Sequence, residues 1–282
     1  MRSAAAVVLL LSFAHQPAEA GPNKARSVQA RPAAALVHAR PLAVPASRPR
    51  QAATRAAVAA SQARMVGTVQ HAAARTGADP ALLVAMAWRE SRLDPQARSA
   101  QSSARGLMQF TESTWLETVR DHGARHGLAR EAAALTIDRR TGVIGMSDGH
   151  ALQRLLALRY DPDLAAALAG ARLVAAREKL EQAIGREAGV VDLYAVHLLG
   201  VSGGRRFLAR LNLDPGASAA EAVGREAAER NRGVFFAPGG RALSMREVHA
   251  AMVESTAAGR RLLASAGSVG RFAVADASVG GH

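Results

Sequence analysis

The residues with the types and spacing to do chemistry fall into two groups. Glu90-Ser91 closes a strongly apolar stretch, and Gly106-Leu107-Met108-Gln109 begins sixteen residues after the glutamate. Between them runs a loop rich in Ser, Gln and Arg that includes Ser99. The second group is Val196-His197-Leu198-Leu199-Gly200, with Tyr194 one helical turn before His197. A carboxyl held half out of water, beside groups that hydrogen-bond a polar ligand, suits general acid–base work. A glycosidic bond is the target that fits, because its cleavage begins with a proton delivered to the leaving oxygen. The carboxyl must then hold its proton near neutrality. Burial near Trp88 and Met86 and a place at a helix C-terminus would favour that.

Together these stretches resemble the motif set of the soluble lytic transglycosylases, a family similar in fold to goose-type lysozyme. The resemblance covers roughly residues 63–255. It implies an α-helical lysozyme-like domain with a substrate cleft, and peptidoglycan glycan strands as substrate. It also implies cleavage of the β-1,4 bond between N-acetylmuramic acid and N-acetylglucosamine, leaving a 1,6-anhydromuramic end. By position, Glu90 takes the place of the family's catalytic acid/base. Ser99 falls where the family has a serine near the substrate's N-acetyl group, Gln109 matches a substrate-binding glutamine, and Met108 matches a residue lining the cleft. His197 and Leu198 stand where many members have Tyr-Asn. Either His197 supplies a donor in place of that tyrosine hydroxyl, or Tyr194 reaches over; Leu198 removes a polar contact.

Glycoside cleavage usually employs two carboxyls. Asp94 would face Glu90 only if the helix continued, and Pro95 makes it a turn residue. Glu112 follows a candidate N-cap, Thr111, where an acid suits the helix dipole; it and Glu117 read as structural. An intramolecular route needs one carboxyl. Protonated Glu90 gives its proton to the leaving oxygen, then takes the proton of the muramic C6 hydroxyl as that oxygen closes on C1. The internal nucleophile replaces water with a large effective concentration. The expectation is therefore a lytic transglycosylase with Glu90 as sole acid/base and no metal or cofactor. Two alternatives stay open. One is a hydrolytic muramidase of the same fold; the other is a non-catalytic peptidoglycan-binding or assembly protein whose altered third motif reflects lost activity.

Other patterns carry less. Gly200-Val201-Ser202-Gly203-Gly204 spells G-x-S-x-G, but a helix rather than a strand precedes it. His122 and His126 have metal-pair spacing, yet Gly123 and Gly127 spoil the helix that would present them. Trp115 and Tyr160 have the spacing of core residues more than of sugar platforms, and Phe235-Phe236 reads as a hydrophobic plug.

The elements that must position the site read as helices. Ala dominates and aromatics make up only 4%, which favours helix over strand and predicts an all-α fold. A helix is expected from about Ser61 to Gly77. Asp79-Pro80 then opens one that runs to about Arg92, apolar nearly all round and hence central. Thr111 opens another through Val119. Residues 136–149 read as a loop or small hairpin. Asp148 caps a helix to Tyr160, and Asp161-Pro162 starts a long one through Ile184. Val190–Leu199 is a helix ended by Gly200, and Arg205–Leu211 a short one. A capping box at Ser244-Met245-Arg246-Glu247 opens the last, to about Ala258.

The 282 residues carry a formal charge of +13, and Lys24 and Lys179 are the only lysines. Residues 21–60 hold seven basic and no acidic residues, against 28 basic and 22 acidic in 61–282. Arg2, the apolar run Ala4–Ala14 and Ala18-Glu19-Ala20 read as a signal peptide over 1–20, so the expected location is the periplasm. Residues 21–60, with repeated Arg-Pro steps, read as a disordered basic linker. The transglycosylase domain is expected over 61–265 and a flexible tail over 266–282. With no cysteine, disulfides and thiol chemistry are excluded. The charge alone would suit nucleic acid, but the export signal and the few aromatics speak against it. The expected state is a monomer acting on glycan strands, alone or within a cell-envelope assembly.

Overall fold

A computed structural model describes the backbone of residues 47–279 and the side chains of residues 55–266. The signal peptide and the linker up to Ala46 lie outside the described residues, as do the last three of the expected tail. The chain divides into two units between Ala60 and Ser61. Of the unit that ends at Ala60, Ser47–Ala60 is described, as helix.

Eleven α-helices and one small hairpin make up the regular structure of the described residues. They are α1 (Ser47–Thr76), α2 (Pro80–Ser91), α3 (Glu112–His122), α4 (Ala129–Ala134), β1 (Thr136–Ile137), β2 (Ile144–Gly145), α5 (Gly149–Ala157), α6 (Pro162–Ile184), α7 (Val190–Leu213), α8 (Ala219–Val223), α9 (Arg225–Arg230), α10 (Arg232–Phe235) and α11 (Met245–Val279). The hairpin is antiparallel, with Thr136 opposite Gly145 and Ile137 opposite Ile144. Among the described residues no helix is long and apolar enough to cross a membrane.

α2 is the buried axis. Every residue from Ala81 to Ala87 is buried, as a helix apolar all round must be. α11 crosses it closely: a Cβ on Gly259 would lie 2.1 Å from the Ala81 carbonyl oxygen. Aspartates start the helices as the sequence predicts. Asp79, Asp148 and Asp161 each accept N–H groups of the first turn of α2, α5 and α6.

Four stretches differ from expectation. α1 begins at Ser47, inside the predicted linker; the alanines carry the helix, and Pro49 sits in the first turn, where its missing N–H is no loss. α7 is broken at Gly200, where the sequence predicts a helix end, but helix resumes directly after it and not at Arg205 as expected. Residues 219–235 fold into three short helices too brief to leave a periodic signal. α11 runs on past Ala258 to Val279, through an alanine-rich stretch of high helix propensity.

Candidate active site

α2 brings Glu90 to the centre of the fold and stops just after it. Arg92 is left-handed, with φ 56°, its N–H donates to the Ala87 and Trp88 carbonyls, and its guanidinium lies 5.1 Å from the Trp88 ring. Glu90 is 4% exposed. Its Oε1 lies 3.3 Å from Nε2 of His197, itself buried. Among the described residues the carboxyl has no other hydrogen-bond partner.

One wall beside the glutamate is the loop between α2 and α3. Ser91 Oγ donates to the Leu107 carbonyl at 2.8 Å, so the residue after the glutamate pins the Gly106–Gln109 turn to α2. Gly106 is irreplaceable on two counts. Its φ is +76°, and a Cβ there would lie 1.9 Å from the Arg159 carbonyl oxygen. Gln109, fully buried with φ 48°, donates through Nε2 to the carbonyls of Gly106 (2.8 Å) and Ala97 (3.1 Å). Its Oε1 has no partner among the described residues. Ser99 lies in the same loop and accepts the Gln101 N–H at 3.2 Å. Arg159, reaching in from a 3-10 turn at Leu158–Tyr160, donates to the carbonyls of Leu156 (2.8 Å) and Ser103 (2.7 Å). Burial pulls its pKa below the ordinary arginine value, and the Glu112 carboxylate pushes the other way. Among the described residues the non-glycine positions with positive φ are Arg92, Leu93 and Gln109, all in this wall. Each such conformation costs on the order of 1 kcal/mol or more and persists only where its surroundings dictate it.

The other wall is α7. At Gly200 (φ 71°, ψ 168°) the helix breaks and restarts. Such a break deprives carbonyls before it of their helical partners. Asn231, buried between α9 and α10, donates through Nδ2 to the Leu198 carbonyl at 3.3 Å and to that of Ala227 at 3.1 Å. His197 stands one residue before the carbonyl so held. Tyr194, 1% exposed, has its ring 6.0 Å from the His197 ring, and its buried hydroxyl has no partner among the described residues.

A cavity of about 340 Å³ lies between these walls, lined at one end by Met86, Met108, Phe110, Val196, His197 and Gly200. Glu90 is not part of the lining: it sits behind His197, one hydrogen bond from the cavity. The structure thus brings Glu90, Met108, His197 and Tyr194 to one locus, with Gln109 and Ser99 in the loop beside them.

The remaining sequence candidates resolve plainly. Asp94 is an exposed turn residue whose Oδ1 accepts the Gln96 N–H. Glu117, read as structural, does pair with Arg172 at 3.0 Å, yet it also lines the far end of the cavity. Trp115 is fully buried, donates to the Leu155 carbonyl and packs edge-on against Phe110. Tyr160 lies under the Arg98 guanidinium, and Phe235 is buried in the core. Ser202 is exposed on a helix that follows a helix, so it has no strand-turn setting. Burial lowers the pKa of both His122 and His126, and among the described residues no three His, Cys, Asp or Glu side chains gather as a metal site. Three residues of the locus did not stand out in the sequence. Ser91 was visible only as part of a motif, while Arg159 and Asn231 act across 56 and 33 residues, where local patterns are silent.

Residues 67–131 match the family model described as Transglycosylase SLT domain. The match spans the end of α1, all of α2, the loop wall and α3, and so contains Glu90, Ser99, Met108 and Gln109; it stops before Tyr194 and His197. Sequence motifs, helical architecture and this match agree: residues 67–131 match a transglycosylase SLT domain, consistent with the soluble lytic transglycosylases, in a lysozyme-like helical fold.

Proposed function

We propose that this protein is a peptidoglycan lytic transglycosylase with Glu90 as its single general acid/base. The observation that carries the reading is the buried Glu90 carboxyl, hydrogen-bonded to His197 at the cavity wall and set inside the segment that matches the family. Protonated Glu90 donates to the oxygen between N-acetylmuramic acid and N-acetylglucosamine, and the C1–oxygen bond breaks. The muramic C6 hydroxyl then attacks C1 and its proton returns to Glu90, giving a 1,6-anhydromuramic end with no water consumed. His197 Nε2 donates to the carboxylate while it is charged, the part the family's tyrosine would otherwise take. Met108 lines the sugar path, and Gln109, Ser99 and Tyr194 contribute polar atoms around it. The leader over residues 1–20 fits export to the periplasm, where a monomer would meet glycan strands, alone or in an envelope assembly.

A second reading, hydrolysis by the same acid, draws on Glu117 and Asp121, which line the same cavity and would be the carboxylates to activate a water. Both are engaged by arginines, Arg172 and Arg120, which favours the first reading. Digesting purified peptidoglycan and weighing the new ends by mass spectrometry separates the two. Anhydro ends are expected; reducing ends would establish the muramidase instead.

A further inference from the structure

Glu90 has no opening of its own onto the cavity. Its carboxyl is 4% exposed and takes no part in the lining, and its hydrogen-bond partner among the described residues is His197. His197 does line the cavity, so the imidazole stands between the carboxyl and the space a sugar would enter. Around it that end is lined by Met86, Met108, Phe110 and Val196, whose side chains have no proton to exchange. A proton that leaves Glu90 for a ligand there meets His197 first. The imidazole also has a nitrogen to spare. Nε2 and Glu90 Oε1 are 3.3 Å apart, while Nδ1 has no hydrogen-bond partner among the described residues. Tyr194, the nearest ring, does not take it, since its own hydroxyl is without a partner among those residues. A neutral imidazole carries a proton on one nitrogen and a lone pair on the other, so it can take a proton at one edge and release one at the other.

We propose that His197 is a second catalytic residue, a relay that carries the proton between Glu90 and the sugar, with Nε2 serving the carboxyl and Nδ1 the substrate. In the first half Nδ1–H passes to the leaving oxygen as the C1–oxygen bond breaks, and Glu90 gives its proton to Nε2. In the second half the muramic C6 oxygen bonds to C1, its proton passes to Nδ1, and the Nε2 proton returns to Glu90. Each half leaves the imidazole neutral with its proton on the other nitrogen, and the second half restores the starting state. No proton is gained or lost, and Glu90 remains the source and the sink. This role rests on the catalytic reading above and adds to it the group that touches the sugar. Asn231 serves the relay by holding the Leu198 carbonyl, one residue beyond the imidazole.

The test is chemical rescue in the full chain, read as the rate of sugar release from peptidoglycan. His197→Ala, verified as folded by circular dichroism, leaves a space at the cavity wall that a free five-membered ring can fill. Imidazole and pyrrole are alike in size and both donate through N–H, but pyrrole has no second nitrogen. Imidazole should speed the variant about tenfold and pyrrole should not, because only imidazole can accept a proton and release another. Imidazole should do nothing for His197→Ala combined with Glu90→Gln, where the proton has no source. No acceleration by imidazole, equal acceleration by pyrrole, or rescue without Glu90 would each overturn the relay. The wild type supplies a second reading that needs no variant. Its rate in mixtures of light and heavy water should fall along a curve, as two protons move in one step; a straight line would overturn the relay. Any of these failures, alongside anhydro ends that the wild type makes and Glu90→Gln does not, would leave Glu90 acting directly and the catalytic reading intact. A wild type that never cleaves peptidoglycan would remove both.

Discussion

The two walls beside Glu90 are held by opposite means. The loop wall is stitched locally: Ser91 to Leu107, Gln109 to Gly106 and Ala97, with the non-glycine residues Arg92, Leu93 and Gln109 at positive φ along it. The α7 wall is a broken helix, and the carbonyl beside His197 is held by Asn231 from a segment outside the family match. The first wall fixes where the carboxyl sits. The second presents the group that touches it, His197, and lies beyond the segment that matches the family model. A locally stitched wall leaves little room for substitution, whereas a wall braced from afar can change its chemistry while the brace keeps its position.

That contrast can be broken most forcefully at Gly106. Gly106→Ala should destabilise the fold by about 3 kcal/mol or more, read from the denaturant midpoint, because a left-handed φ and a clash with the Arg159 carbonyl act together. A loss below about 1 kcal/mol would mean that the loop wall yields easily. On the α7 wall, His197→Ala should slow cleavage by about a hundredfold, with His197→Gln recovering part of it, and should move the midpoint less than the change at Gly106 does. Unaltered cleavage by His197→Ala would make the histidine a bystander. Asn231→Ala should cost about 1–2 kcal/mol and slow cleavage as well, since it frees the Leu198 carbonyl next to His197. A stability loss with cleavage unchanged would uncouple the brace from the site. The smallest effect concerns α11, which backs α2. Arg241 and the Ser244 cap hold the Glu247 carboxyl down at about 2, from an ordinary 4.5. A carboxylate lowered in the folded state adds stability that is complete above about pH 4.5 and is lost as pH falls toward 2. Glu247→Gln should therefore lower the midpoint slightly at neutral pH and flatten its slope across that acid range; an unchanged slope would contradict the assignment.

Much of the loop wall was legible because its signals are local. Asp79-Pro80 opens α2, Thr111 opens α3, and the glycine of the Gly106 turn stands where φ is positive. The α7 wall was legible as a list of residues with a helix end at Gly200; what the sequence did not show is that helix resumes at once, ahead of the expected start at Arg205. Arg159 and Asn231 were invisible for the same reason that they matter, since each is defined by a carbonyl far along the chain. The hydrogen bond between Glu90 and His197 joins residues 107 apart, and no spacing rule reaches so far.

In the proposed mechanism one buried carboxyl, Glu90, moves the proton in both halves of the reaction. Wild type and Glu90→Gln, each verified as folded, should be incubated with intact peptidoglycan sacculi and the released sugars identified. Anhydromuramic products are expected from the wild type, with a loss of about a thousandfold or more in the variant. Release by Glu90→Gln at a rate near that of the wild type would contradict it.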